Sequence, residues 1–153
     1  MMLPQQSAVS NHSHTWMRTV TFPGRFESLP KISEFVVQAA KDAGLNPKAV
    51  YAVDLAVDEA CTNIIEHAYG GEGHGDIQCT CDVTGDGLTI TLRDHGKPFD
   101  PSKIRPPKPT SKLSDIKPGG AGIFLMKKMM DEVRFEFSPA SGNVLILIKR
   151  RKS

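Results

Sequence analysis

Three groups of residues in this chain combine residue type and spacing in ways that suit chemistry. Glu59 and Asn63 lie four residues apart in AVDEACTNIIEHAYG, and on a helix such residues are neighbours one turn apart, so a carboxylate and an amide would face one cleft. Taken alone, the pair also suits an ordinary solvated helix face. Asp94 is followed by His95-Gly96-Lys97-Pro98-Phe99 at the end of an extended stretch. Its carboxylate can accept hydrogen bonds in a pocket, or simply close an Asx turn. Gly119-Gly120-Ala121-Gly122 runs directly into a helical pattern. Backbone N–H groups without a Cβ in the way, at a helix N-terminus, form a natural phosphate cradle; a plain flexible turn is the other reading.

The elements that must carry these groups follow from periodicity. Thr15–Phe22 alternates Trp16, Arg18, Val20 and Phe22 with Met17, Thr19 and Thr21 and reads as a strand ended by Pro23-Gly24. From Leu29, the residues Ile32, Phe35, Val36, Ala39, Ala40 and Ala43 recur at helical spacing, with Gly44 as the stop. Asn46 then caps a second helix with Pro47 at its first position, running to about Tyr69 before Gly70-Gly71. On that helix Val50, Val53, Val57, Ala60, Cys61, Ile64 and Ala68 form one stripe. Glu59 and Asn63 project roughly 120–160° from its centre, on a face that is not the main core.

Ile77–Val83 and Leu88–Asp94 read as two strands joined by Thr84-Gly85-Asp86-Gly87, a hairpin signal. The segment 98–118 holds six of the eleven prolines and five basic residues, and no regular element fits it. Helical spacing returns at Ile123, Leu125, Met126, Met129 and Met130; Val133–Phe137 and Val144–Lys149 then form a second hairpin. The first dozen residues are polar and unpatterned and are expected to be a disordered leader.

Composition bounds the reading. A chain of 153 residues, 39% hydrophobic and 24% charged, suits one globular domain. Its formal charge of +2 is spread along the chain and gives no general affinity for nucleic acid or membrane. No apolar stretch is long enough to span a bilayer and no signal segment is visible, so a cytoplasmic protein is expected. Cys61, Cys79 and Cys81 lack Cys-x-x-Cys spacing and are expected to be reduced thiols. His67, one turn beyond Asn63, either borders the site or, as the favoured reading, is a hydrogen-bonded structural histidine.

The three motifs, in this order and context, resemble the N box and two glycine boxes of the GHKL ATPases. A closer resemblance, covering nearly everything from Trp16 to Lys149, is to the stand-alone anti-sigma-factor serine kinases. AVDEACTNIIEHAYG, LRDHGKPFDP, GGAGIFLMKKMMDEV and the closing GNVLILIKR carry it. One departure is Pro98, which replaces the second glycine of the first glycine box in many GHKL proteins.

The resemblance implies an α+β fold, a two-layer sandwich with a mixed, mainly antiparallel sheet and about three helices on one face, occupying 13–153. It implies that Asn63 coordinates Mg²⁺ at the phosphates of ATP, and that Asp94 accepts the adenine amino group. Gly96 would let the backbone pass close to the base, and Gly119, Gly120 and Gly122 would receive the phosphates. Glu59 would be the general base, and segment 98–118 an ATP lid from which Arg105 reaches the γ-phosphate. The implied partners are a sigma factor and a STAS-domain anti-sigma-factor antagonist, with a homodimer as the assembly and no direct nucleic-acid contact. A switch module that binds ATP without transferring phosphate is the competing function; Glu59 speaks against it. Histidine autokinases need a phosphoacceptor helix, and gyrase-like or chaperone-like ATPases need further domains, for which this length leaves no room.

Overall fold

The computed structural model describes residues 15–98 and 120–152. The expected leader 1–12, nearly all of the expected lid, Gly119 and Arg105 lie outside the described residues. Five strands form one sheet: β1 (Trp16–Pro23), β2 (Asp76–Thr84), β3 (Gly87–Asp94), β4 (Glu132–Ser138) and β5 (Gly142–Arg150). Three α-helices accompany them: α1 (Leu29–Asp42), α2 (Pro47–Asn63) and α3 (Gly120–Met129).

The order across the sheet is β1-β2-β3-β5-β4, and every neighbouring pair is antiparallel. The expected mixed sheet is corrected in this respect. β3 and β4 do point the same way, but the β4–β5 hairpin folds back so that β5 lies between them, and no parallel ladder forms among the described residues. Thr84 pairs with Gly87 across the two-residue turn Gly85-Asp86, and Gly87 takes φ +147°, a conformation that favours glycine.

Alternation sends one set of side chains from each strand toward the helices. Ile77, Cys79, Cys81 and Val83 of β2, Leu88, Ile90 and Leu92 of β3, and Leu145 and Leu147 of β5 are buried there. They meet Ile32, Val36, Ala39 and Ala40 of α1, and Val53, Val57, Ala60 and Cys61 of α2. Each fully buried Ile or Leu contributes about 1.5–3 kcal/mol, which is why the sheet cannot slip register without losing its core. The three cysteines are free and buried in this layer, and burial pushes the Cys61 thiol up to about 12.

The capping expectations match the observed geometry. The Asn46 side chain accepts from the Ala49 N–H at 2.8 Å, and Pro47 opens α2. Past Asn63 the helix widens into a π-wound turn, Ile64–Ala68, in which Tyr69 N–H donates to Ile64 C=O at 2.9 Å. Periodicity alone foresaw neither this turn nor the 3₁₀ turn Phe26–Ser28 before α1.

Candidate functional site

Asp94 is the residue where an apolar series becomes polar. The inward positions of β3 run Leu88, Ile90, Leu92 and end in Asp94, which is 3% exposed. Its Oδ1 accepts the Gly96 N–H at 2.9 Å, the Asx turn that sequence reasoning had set against a pocket role. Oδ1 also accepts from Asn143 Nδ2 at 2.9 Å. Among the described residues no donor reaches Oδ2, so the turn and the pocket are not alternatives.

The loop after Asp94 is pinned from several sides. Lys97 N–H donates to Ala68 C=O at 2.8 Å, tying the loop to the end of the π turn. A methyl group on Gly96 would stand 2.5 Å from that same carbonyl oxygen, so the fold itself requires glycine there. Tyr69 donates from its hydroxyl to Asp76 C=O at 2.6 Å and accepts the His95 N–H at 3.0 Å. Pro98, the departure from the glycine box, follows directly on this pinned segment.

Glu59 and Asn63 lie on α2 as the i, i+4 spacing foretold, and both are half-buried, with α3 packed against α2. A methyl group on Gly122 would meet Asn63 Nδ2 at 2.8 Å and Glu59 Oε1 at 3.2 Å. The third glycine of the box therefore touches both residues of the helical pair. Asn63 Nδ2 is buried and has no hydrogen-bond partner among the described residues. An unmet buried donor costs about 1–3 kcal/mol; rotating the amide would leave its oxygen there instead, so either a phosphate oxygen or a cation would satisfy the group. Burial, then the Asp58 and Glu66 charges, push the Glu59 carboxyl above its ordinary 4.5, as suits a proton acceptor.

The described residues thus bring together Glu59, Asn63 and Gly122 at one end, and Asp94 and Gly96 at the other, with the π turn between them. Gly120 opens α3. His67 is exposed and, among the described residues, makes only a 4.0 Å approach to Glu66 where a hydrogen-bonded structural histidine was expected. Sequence reasoning missed Tyr69 and Asn143. The signal for Asn143 was available: the inward series of β5, Leu147 and Leu145, also ends in a polar residue, and the register sets that residue opposite Asp94.

Residues 22–149 match the family described as histidine kinase-like ATPase domain. A serine-protein kinase RsbW of Halalkalibacterium halodurans is 32% identical over 134 residues, which are 85% of this chain and 80% of the relative. The serine-protein kinase RsbW of Bacillus subtilis is 35% identical over 86 residues, 54% of each chain. The chain spans about half the length of several of the curated relatives it matches. A crystal structure of the RsbU and RsbW domains of a Mycobacterium tuberculosis protein superposes with a TM-score of 0.63 at 15% identity, over 91% of this chain and 34% of that one. That likeness shows the shared fold.

Proposed function

This chain belongs to the histidine kinase-like ATPase domain family, and on that premise we propose that it is a serine/threonine-protein kinase that moves the γ-phosphoryl group of ATP to a protein hydroxyl. The observation that carries this reading is the meeting of Gly122 with both Glu59 and Asn63 around a buried amide that has no partner among the described residues. Residues 13–153 are read as one ATP-binding domain, with the lid at about 98–118.

Asp94 Oδ2 is read as the acceptor for the adenine amino group, and Gly119, Gly120 and Gly122 as the floor under the phosphates. The single amide of Asn63 fits Mg²⁺, which takes few protein ligands alongside phosphate and water oxygens. When bound, that ion would neutralise charge on the phosphates. In transfer, the hydroxyl oxygen bonds to the γ-phosphorus as the bond from that phosphorus to the β-γ bridging oxygen breaks, ADP leaves, and Glu59 takes the hydroxyl proton. Arg105 is assigned to the γ-phosphate.

The relatives named serine-protein kinase RsbW, together with the resemblance to anti-sigma-factor kinases, support the substrate and partners. We read the hydroxyl as a serine or threonine of a STAS-domain antagonist, the sequestered partner as a sigma factor, and the assembly as a homodimer in the cytoplasm. Among the described residues no helix is long and apolar enough to cross a membrane.

The test is incubation with γ-labelled ATP and a panel of purified STAS proteins. Label on a serine or threonine of one of them is the expected result. ATP binding with no label on any would favour the non-transferring switch.

A further inference from the structure

We propose that Lys149 is a positioning residue for the phosphate end of the site: it ties down the C-terminal end of α3 and so fixes where Gly122, near the other end, meets Asn63 and Glu59. The inference rests on the reading of Gly120 and Gly122 as phosphate contacts and extends it to a residue that touches neither phosphate nor base.

Along β5 the inward positions run Leu145, Leu147 and Lys149, and in register Lys149 stands opposite the buried Leu88. A lysine thus ends an apolar series, where its stem can lie against the core while its head reaches an acceptor. That acceptor is on α3. Nζ donates at 2.6 Å to the C=O of Met129, the last residue of the helix. The carbonyls of a last helical turn have no partner within the helix and form the negative end of its dipole, so a bond from a cation satisfies both. Two further bonds fasten the turn that follows. Asp131 N–H donates to Ile148 C=O at 2.9 Å, and Arg150 N–H donates to Asp131 Oδ2 at 2.6 Å.

The apolar contacts of α3 fix its position along its own axis only loosely. They come from Ile123, Met126 and Met130, and methionine is unbranched and adapts to a displaced neighbour. The other end of the helix leaves less freedom. Gly122 sits so close to α2 that a methyl group on it would stand 2.8 Å from Asn63 Nδ2 and 3.2 Å from Glu59 Oε1. From Met129 to Gly122 is about 10 Å along the helix axis, and a helix of ten residues joined by its own hydrogen bonds moves as one body. Releasing Met129 therefore shifts Gly122 against Asn63. Contacts to phosphate depend on that fit, whereas the contact assigned to Asp94 is built from β3 and a loop pinned to the π turn.

The experiment measures the affinity of the whole chain for Mg²⁺-ATP and for adenosine, by competition with a fluorescent adenine nucleotide. Wild type is compared with Lys149→Met, Lys149→Gln, Lys149→Arg and Gly122→Ala. Lys149→Met keeps the stem and removes the donor. It is expected to weaken ATP about tenfold and adenosine less than about threefold, so that the ratio of the two affinities falls by about threefold or more. Lys149→Arg keeps a donor and is expected to stay within that limit. A fall short of the limit in Lys149→Met, which general loosening of the fold would produce, overturns the proposal, and so does a fall past it in Lys149→Arg. If Lys149→Met fails to fold, the same limit is applied to Lys149→Gln, whose shorter side chain stops short of Met129. Gly122→Ala separates the two readings. An unchanged ratio there removes the phosphates from α3 and the underlying reading with them, whereas a fall there beside an unchanged ratio in Lys149→Met removes only the role of Lys149.

Discussion

Asp94 spends Oδ1 on the fold, and the proposed base contact falls to Oδ2, which makes a sharp substitution possible. In Asp94→Asn the amide oxygen can still accept from Gly96 and Asn143, while the NH₂ group turns a donor toward the adenine amino group. The fold is expected to survive and ATP binding to fall below detection by calorimetry; unchanged affinity would contradict the adenine assignment. Glu59 gives a prediction with a sign. Burial and two neighbouring acids raise its carboxyl above 4.5, so the native state holds that proton more tightly than the unfolded chain does. Stability is then lost as pH rises from the unfolded value through the folded one. Glu59→Gln should raise the melting temperature of nucleotide-free protein at pH 7 by about 1–2 °C, a small gain because solvent screens a part-exposed group. Below about pH 4 the gain should vanish, since both states are then protonated. Scanning calorimetry at the two pH values checks it.

At the scale of elements, two glycines that look alike in sequence have opposite roles in the structure. A methyl group on Gly96 meets the backbone carbonyl of Ala68, which cannot yield without breaking the Lys97 hydrogen bond; Gly96→Ala should cost about 1–3 kcal/mol of stability by denaturant titration. A methyl group on Gly122 meets only the ends of Asn63 and Glu59, which can move aside, and alanine gains up to about 1 kcal/mol of helix propensity. Gly122→Ala should leave stability unchanged or higher and weaken ATP binding at least about tenfold, because it displaces the groups assigned to the phosphate end. The sequence made these elements legible wherever periodicity carried information: α1, the α stretch of α2 and both hairpins follow from apolar spacing and turn residues. It did not reveal the π turn, because a shift from i+4 to i+5 bonding over one turn leaves too few residues to show a new period. Nor did it reveal that β5 lies between β3 and β4, since strand order depends on which edge a hairpin joins. The Asn143 pairing stayed hidden with it, although the polar residue at an inward position was in plain view.

For the whole molecule, the site is assembled from distant parts of the chain, and its integrity should follow that of the domain. α3 is held to the sheet at its far end by Lys149 Nζ donating to Met129 C=O at 2.6 Å, and by the Arg150 N–H on Asp131 Oδ2 at 2.6 Å. ATP binding across α2, α3 and β3 should therefore stabilise one cooperative unit. At one hundred times its dissociation constant, ATP adds about 2.7 kcal/mol and should raise the melting temperature by roughly 5–10 °C in a single transition. A shift in only part of the transition would show that the site elements unfold apart from the core. Phosphoryl transfer at the face shared by Glu59, Asn63 and Gly122 is checked by comparing wild type and Glu59→Gln for ATP affinity and for single-turnover transfer to an unphosphorylated STAS protein that wild type labels. Glu59→Gln is expected to keep affinity within about threefold of wild type and to slow transfer by about 10²–10⁴-fold. Transfer at the wild-type rate by Glu59→Gln would contradict it.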